Sequence, residues 1–182
     1  MSAPRTVHLL RHGATVRPGR LLGHGDVAAT PQGIADAVRA AAQVRFAHLV
    51  SSDLIRAAAC AAALGAPVRH DPRWRELDFG AWDGADPATL DPAATAAFWR
   101  DPDGHPPPGG ERWSALVMRV GAALADVPDA ALVVTHGGAI RAALAAACGF
   151  DARQVWAFDL PCAALLTLRL WGDGAQLVRL AA

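Results

Sequence analysis

Two histidine-glycine pairs follow apolar, strand-like segments, and their side chains could act on a phosphate group. Arg11-His12-Gly13 comes after residues 6–10, and His136-Gly137 comes after residues 132–135. Because parallel strands of an α/β sheet end at one crevice, two imidazoles far apart in sequence can meet there over a small ligand. A neutral imidazole is a nucleophile at neutral pH, and an arginine can bind two phosphate oxygens at once. The spacing therefore predicts a phosphate site.

Arg56 and Glu76 are the next candidates for the same site. Arg56 lies one turn into a predicted helix that follows the second strand-like segment, so its guanidinium can reach the same crevice. Glu76 is one of only two glutamates in the chain and stands in an aromatic run, where a carboxyl group suits proton donation to a leaving oxygen. Taken alone, this arginine is typical of a solvated helix, and this glutamate of a protein surface.

His136 precedes a predicted helix N-terminus, where an imidazolium and backbone amides favour a bound anion. Taken alone, it is equally typical of a core histidine with satisfied hydrogen bonds. Four of the remaining histidines are assigned to structure or solvent, namely His8, His48, His70 and His105. The role of His24 is left open.

The composition limits the partners of the chain. Its 182 residues fit one domain, and its 17 arginines balance 17 acidic residues, so bulk charge does not favour nucleic acid or an anionic membrane. There is no lysine, which excludes a Schiff-base lysine and the lysine of a phosphate-binding loop. No Gly-x-Ser-x-Gly segment is present, so the commonest serine-hydrolase interpretation is excluded as well.

The cysteines and the amino terminus indicate a compartment. Cys60, Cys148 and Cys162 are odd in number, far apart and set among alanine and leucine, which is typical of reduced, buried thiols and not of a disulfide framework or a zinc site. Residues 1–6 contain no apolar signal core, and no stretch is long enough to span a bilayer. We therefore expect a cytoplasmic protein.

Strand-like and helix-like patterns alternate along the chain, which predicts an α/β fold. A helix starts at Thr30-Pro31, and its apolar face is predicted to be Ile34, Val38, Ala41 and Ala42. The other central elements, in chain order, are a strand at 47–50, a helix from Leu54 to near Gly65 capped by residues 51–53, a helix at 113–124, a strand ending at Thr135 and a helix from Gly138 to Gly149.

The segment from about 77 to 111 is crowded with Asp, Pro, Gly and aromatic residues. A stretch this long inside one domain is more often functional than a passive connection, so we interpret it as a lid-like insertion. Trp82, Phe98 and Trp99 are predicted to line an apolar mouth that prefers a bulky, ring-bearing monoester over a three-carbon acid.

The last thirty residues predict an antiparallel edge on the sheet. Extended segments at 155–158, 163–170 and 176–180 surround a Gly172-Asp173-Gly174 turn. With no repeat or linker to divide residues 1–182, we expect one three-layer α/β/α sandwich with a mostly parallel sheet. The apolar region from Trp156 to Leu170 could support an edge-to-edge homodimer.

Four segments in this order resemble the histidine phosphatase superfamily, the phosphoglycerate mutase-like proteins. They are Leu10 to Thr15, Ser51 to Arg56, Arg75 to Gly84 and Thr135 to Gly138, and weaker matches at 23–26 and 30–33 extend the resemblance over nearly the whole chain. Within the family the chain looks most like the α-ribazole phosphatases of cobalamin assembly, through its short length, the run at 76–84 and the motifs at 98–102 and 107–111.

The resemblance implies a metal-independent phosphomonoesterase that needs no cofactor and acts on a small phosphorylated metabolite such as α-ribazole 5′-phosphate. His12 would attack phosphorus, Glu76 would protonate the departing alkoxide and then activate water, and the phosphoryl oxygens would be bound by the other members of the site. Those members are Arg11, Arg56 and His136, together with Thr15, Gly23 and Gly137.

Three positions depart from the family pattern. Pro18 stands where many members have asparagine, Leu22 replaces a usual serine, and Cys60 replaces a common threonine. Pro18 can donate no hydrogen bond, so a phosphate ligand is either missing or supplied by Arg17.

Three alternatives to hydrolysis remain open. Phosphoglycerate mutase-type transfer is disfavoured because the larger mutases have a longer insertion before the second His-Gly. A non-catalytic phospho-ligand binding module is supported by Pro18 and Leu22. A metal-dependent hydrolase using His12, His24, Asp26 and His136 is least favoured, because no pair has the close helical spacing of a zinc site.

Overall fold

A mixed sheet of six strands runs through the centre of the molecule, with helices on both of its faces. The computed structural model describes residues 3–172 and 174–181. In chain order the strands are β1 (Arg5–Arg11), β2 (His48–Ser51), β3 (Val68–His70), β4 (Ala131–Thr135), β5 (Leu165–Trp171) and β6 (Gly174–Ala181). The helices are α1 (Pro31–Ala41), α2 (Ile55–Ala62), α3 (Pro92–Arg100), α4 (Trp113–Ala125), α5 (Gly137–Cys148) and α6 (Ala152–Val155).

The strand order is β3-β2-β4-β1-β5-β6. The pairs β3–β2, β2–β4 and β4–β1 are parallel, whereas β1–β5 and β5–β6 are antiparallel. The predicted α/β/α sandwich with a mostly parallel sheet is confirmed. The reversed strand is β5, which lies inside the sheet, and β6 forms the edge beyond it.

Alternation of side chains along the central strands divides the core into two halves. Leu9 of β1 and Val133 of β4 are fully buried on one face, where α4 and α5 pack. Leu10 and Leu132 are fully buried on the other face, against α1 and α2. Since all of these strands are covered on both faces, their sequences are nearly continuous apolar runs.

Helix α1 begins as its sequence predicts, because the Thr30 hydroxyl accepts a hydrogen bond from the Gly33 amide and proline follows at the first helical position. The buried face was predicted about one residue out of place. Its buried residues are Gly33, Ala37, Ala40 and Ala41, whereas Ala42 is exposed and Ile34 and Val38 are only partly buried. Small residues face the sheet there, which lets the helix approach closely.

The start of α2 differs from the predicted cap at 51–53. Its N-cap residue is Leu54, and the Ile55 amide donates instead to Asp26, a residue distant in sequence, at 2.7 Å. Strand β3, between α2 and Trp74, was not predicted, because three residues give no readable alternation. Helix α5 ends as expected at Gly149, whose φ of 72° suits glycine.

Residues 155–158 are not a strand. Asp151 and Gln154 form a reciprocal capping box that starts the short helix α6, and a turn follows it. The predicted hairpin between β5 and β6 is confirmed, with Trp171 opposite Gly174; Asp173 of the predicted turn lies outside the described residues. Because β5 is paired on both sides, it cannot supply a dimer edge, and only β6 is open at that end of the sheet.

The segment 77–111 is folded onto the domain. It contains two short 3-10 turns and α3, and it buries Phe79, Trp82 and Phe98 against the core next to α4. Its aromatic rings therefore anchor the segment. Within the part of the chain that the structure describes, no helix combines the length and the apolar character needed to cross a bilayer.

Candidate active site

The C-terminal ends of the three adjacent parallel strands β1, β4 and β2 converge at one edge of the sheet. His12 follows β1, His136 follows β4 and Ser52 follows β2. The His12 and His136 rings meet edge to face, with centroids 5.1 Å apart and planes at 63°. The two imidazoles that the sequence singled out therefore share one site.

His12 is held as a neutral nucleophile. Its Nδ1 lies 2.7 Å from the Gly13 carbonyl oxygen, which can only accept, so Nδ1 carries the proton and Nε2 keeps its lone pair. Burial lowers the pKa of His12 to about 3. The hydrogen bond to Gly13 acts in the opposite direction, whereas the guanidiniums of Arg56 and Arg11 lower the pKa further. A phosphorus atom placed at Nε2 therefore meets an unprotonated nitrogen.

His136 is fully buried, and its Nε2 lies 2.9 Å from the hydroxyl of Ser52. Burial lowers the pKa of His136 well below its usual value, and the neighbouring His12, Arg56 and Arg11 act in the same direction. The sequence interpretation of His136 as a cation is therefore not supported. A neutral ring still offers one N–H to a bound anion.

Buried nitrogens without a partner are concentrated at this site. Five such side-chain atoms occur among the described residues, and four of them are Arg11 Nε, Arg56 Nε, His136 Nδ1 and Arg141 Nε; the fifth belongs to Trp74. Leaving a buried polar group unpaired costs about 1–3 kcal/mol. A bound anion would provide acceptors for this group of donors.

Arg56 also organises the loop in front of the site. It is fully buried and donates to the carbonyl oxygens of Leu22, Gly23 and Gly25 at 3.1, 2.6 and 3.0 Å. The Gly23 amide donates to Asp83 at 2.8 Å. With its amide and its carbonyl both engaged within the protein, Gly23 is not supported as a phosphate ligand; its role is to shape the loop.

Glu76 lies between the histidines and a neighbouring cleft. Its Oε2 accepts from the Gly138 amide at 3.0 Å and its Oε1 from the Leu77 amide at 2.8 Å. The hydroxyl of Thr135 binds the Trp74 carbonyl at 2.7 Å, which ties the end of β4 to the segment that carries Glu76. The carboxyl group is therefore fixed beside the start of α5.

Two cavities meet at Arg11 and Glu76. The first, which we call the phosphate pocket, is lined by His12, Thr15 and the loop residues Arg17, Pro18 and Leu22, and also by Cys162. Thr15 and Arg17 are thus at the predicted place. The second, which we call the aromatic cleft, has about 510 Å³ including the space open to solvent.

The aromatic cleft is walled by Phe98, Trp99, Trp113 and Trp156, and Gly137 and Arg141 also line it. The prediction that Trp82 lines this mouth is wrong: Trp82 is 8% exposed, packs edge to face on Phe98 and is not among the residues that line the cleft. Trp113 and Trp156 contribute in its place.

Sequence reasoning missed several residues that complete the site. Ser52 contacts His136, and His24 Nε2 lies 3.0 Å from the Glu76 carbonyl oxygen. Arg119 also binds the Glu76 carbonyl, and Arg141 reaches the cleft from α5. Ser52 lies within the family-like segment from Ser51 to Arg56, and His24 within the weaker match at 23–26. Arg119 and Arg141, however, have the same local pattern as arginines on solvated helix faces.

Comparisons with known proteins agree with this geometry. The family model of the histidine phosphatase superfamily (branch 1) matches residues 7–182. The chain is 36% identical over 166 residues to a Proteus mirabilis protein named "Probable phosphoglycerate mutase GpmB", covering 80% of this chain and 76% of that protein.

Two solved structures have the same fold over almost their whole lengths. A mycobacterial glucosyl-3-phosphoglycerate phosphatase is 30% identical, with 97% and 98% of the two chains covered and a TM-score of 0.84. An Escherichia coli K-12 protein named "a putative alpha-ribazole-5'-P phosphatase" is 25% identical, with 98% and 96% covered and a TM-score of 0.85. The chain belongs to the histidine phosphatase superfamily (branch 1).

Proposed function

We propose that this protein is a metal-independent phosphomonoesterase that works through a phosphohistidine at His12. The observation that carries the proposal is the unprotonated Nε2 of His12 beside unpaired guanidinium nitrogens of Arg11 and Arg56. A nucleophile and positive charge at one point match the needs of phosphoryl transfer.

The reaction follows from the positions of these groups. His12 Nε2 forms a bond to phosphorus as the bond to the ester oxygen breaks, and Glu76 gives its proton to the departing alkoxide. Arg11, Arg56 and His136 bind the phosphoryl oxygens. Water then attacks the phosphohistidine and gives a proton to Glu76, which releases inorganic phosphate and restores His12.

The substrate class is proposed from the aromatic cleft. Because Glu76 stands between the phosphate pocket and the cleft, the alcohol that accepts its proton lies against Trp99, Trp113 and Trp156. Such walls favour a ring-bearing alcohol. α-Ribazole 5′-phosphate is one such ester, and the likeness to the Escherichia coli protein supports it as a candidate.

Phosphoryl transfer of the mutase type is the second candidate, and the likeness to GpmB favours it. A mutase would return the phosphoryl group from His12 to another oxygen of the same small acid, whereas a phosphatase gives it to water. Release of inorganic phosphate from 3-phosphoglycerate, measured against formation of 2-phosphoglycerate, separates the two. The side-by-side panel also includes α-ribazole 5′-phosphate, sugar phosphates and a phosphopeptide.

The direct test is hydrolysis of phenyl phosphate by the whole chain in excess chelator. We expect turnover in wild type, and a loss of at least about 10²-fold in His12→Ala, with an acid-labile, base-stable phosphoprotein in rapid quenching of wild type only. His105→Ala, at an exposed histidine, is the matched control and should keep full activity. Unchanged turnover in His12→Ala would remove the mechanism.

The same experiment addresses the remaining alternatives. Loss of activity in chelator would favour a metal site. Thermal stabilisation by inorganic phosphate without turnover of any ester would favour a binding module instead.

A further inference from the structure

Arg141 lines the aromatic cleft and lies one helical turn after Gly137 on the same face of α5. Its Cζ lies 4.3 Å from the centre of the Trp156 ring, and its Nη2 donates to the Phe158 carbonyl at 3.1 Å. The guanidinium is therefore stacked and anchored on one side, which fixes the direction of its remaining donors.

The charge of Arg141 is not matched by a salt bridge among the described residues. Its Nε is buried without a partner, and burial lowers its pKa, with Glu76 opposing that effect. A Cβ built on Gly137 would stand 3.3 Å from Arg141 Nη1 and 3.5 Å from Arg11 Cζ, so two guanidiniums flank the same glycine. Two cations held this close favour an anion between or beside them.

Only one of these two cations lines the phosphate pocket. Arg11 lines both the phosphate pocket and the cleft, whereas Arg141 lines the cleft alone and His12 the phosphate pocket alone. A substrate whose phosphate is bound at His12 must therefore extend past Glu76 to contact Arg141. The part of the substrate that meets Arg141 is the alcohol, after the phosphate oxygens have been bound elsewhere.

We propose that the aromatic cleft selects a ring-bearing alcohol with an anionic substituent, and that Arg141 is the specificity-determining residue that binds this substituent. The inference rests on the proposed phosphomonoesterase function and adds the chemistry of the leaving group to it. Trp99 and Trp113 hold the ring, and the stack on Trp156 aims the guanidinium at the substituent. α-Ribazole 5′-phosphate has the ring but no anionic group on it, so this proposal favours a different ester.

The test compares phenyl phosphate with 3-carboxyphenyl and 4-carboxyphenyl phosphate, using the full chain. In wild type we expect kcat/KM for one carboxylated ester to exceed that for phenyl phosphate by about tenfold or more, mainly through a lower KM. The corresponding neutral carbamoylphenyl phosphate should show no such preference. In Arg141→Gln the carboxylate preference should fall to within about threefold of unity.

The ester ratio of each variant is divided by that of wild type, so the difference in intrinsic reactivity between the esters cancels. Arg153→Gln is the matched control, since it removes the same charge from an exposed arginine of α6 that does not line the cleft. It should keep the preference. Arg141→Lys, which keeps the charge but loses the planar stack, should keep only part of it.

Failure of this proposal differs from failure of the proposed function. If wild type hydrolyses phenyl phosphate with His12 dependence but Arg141→Gln keeps the same ester ratio, Arg141 does not select the leaving group. An equal loss toward all of these esters would assign Arg141 to the phosphoryl group and would also overturn the inference. Absence of all turnover in wild type contradicts the phosphomonoesterase itself. Inhibition by 4-hydroxybenzoate compared with phenol, weakened in Arg141→Gln, provides a second measurement of the same contact.

Discussion

Arg119 connects Glu111 to the backbone of Glu76. Its Nη2 lies 2.6 Å from Glu111 Oε2 and 3.1 Å from the Glu76 carbonyl oxygen, and its Nη1 donates to the carbonyls of Arg73 and Arg75 at 2.9 and 3.0 Å. The only two glutamates of the chain are thus linked through one arginine. Glu111 acts here as a positioning residue, because it touches no reacting atom.

Glu111→Gln should therefore lower kcat by about tenfold, since a displaced carboxyl group donates its proton less efficiently. Its KM should change little. The free energy of unfolding should fall by about 1–3 kcal/mol through the loss of a charge-assisted bond. A purely structural role of Glu111 would leave the shape of the pH profile of kcat unchanged. If Glu111 positions Glu76, the profile should change on the limb that depends on the proton donor. Asp126→Asn, which breaks an exposed ion pair of Arg73, should leave both kcat and the free energy of unfolding unchanged.

Acidification should destabilise the protein through His12. The unfolded chain binds a proton near the ordinary value of 6.5, whereas the folded protein does so only near 3, so stability is lost as pH falls between these values. At about pH 5 this amounts to about 2 kcal/mol for one histidine. His12→Asn should therefore show a drop in melting temperature between about pH 7.5 and pH 5 that is roughly 4–8 °C smaller than in wild type. An equal drop in both proteins would contradict the burial argument; His105→Asn should melt like wild type.

Gly138→Ala should impair catalysis while leaving the fold in place. A Cβ on Gly138 would lie 2.0 Å from Glu76 Oε1, and the flexible carboxylate is the group able to move away. Displacing it by about 1 Å should cost roughly 10²-fold in kcat. Gly121→Ala is a matched substitution in α4 whose new methyl meets only Ala146, at 3.2 Å, and it should retain activity. Full activity in Gly138→Ala would remove Glu76 from the mechanism.

Alkylation should inactivate the protein through Cys162. The sequence predicts three buried thiols, but only Cys60 is buried, because Cys148 is partly exposed and Cys162 lies at the surface. Cys162 lines the phosphate pocket together with Arg11 and His12. Burial raises the pKa of Cys60 and of Cys148, which lowers the thiolate fraction of both. Iodoacetamide should therefore modify Cys162 first and block turnover, inorganic phosphate should slow the inactivation, and Cys162→Ala should resist it. Inactivation of Cys162→Ala at the wild-type rate would contradict this assignment.

The site members that follow strands were predictable because topology alone brings them together. His12 and His136 stand at the ends of long apolar runs, and parallel pairing of β1 with β4 places those ends side by side. Arg56 was correctly expected to turn toward the crevice. Its three bonds to carbonyl oxygens could not be anticipated, since they depend on a loop thirty residues earlier in the chain.

The errors share a different cause. Trp82 and Trp156 are both tryptophans in loop-rich stretches, and only tertiary packing decides that Trp82 joins the core while Trp156 walls the cleft. Similarly, the apolar run at 155–158 became part of a helical turn because the Asp151 capping box lies just before it. Hydrophobic pattern alone carries no information on such long-range contacts.

Pairing of Arg11 with Thr135 joins two residues that are far apart in the sequence, so the neighbourhood of His12 and His136 is assembled only after a loop of most of the domain has closed. No short fragment can hold both imidazoles. Regain of enzymatic turnover during refolding therefore reports completion of the whole sheet, and it should trail any signal from α1 or α4, whose contacts along the helix are local.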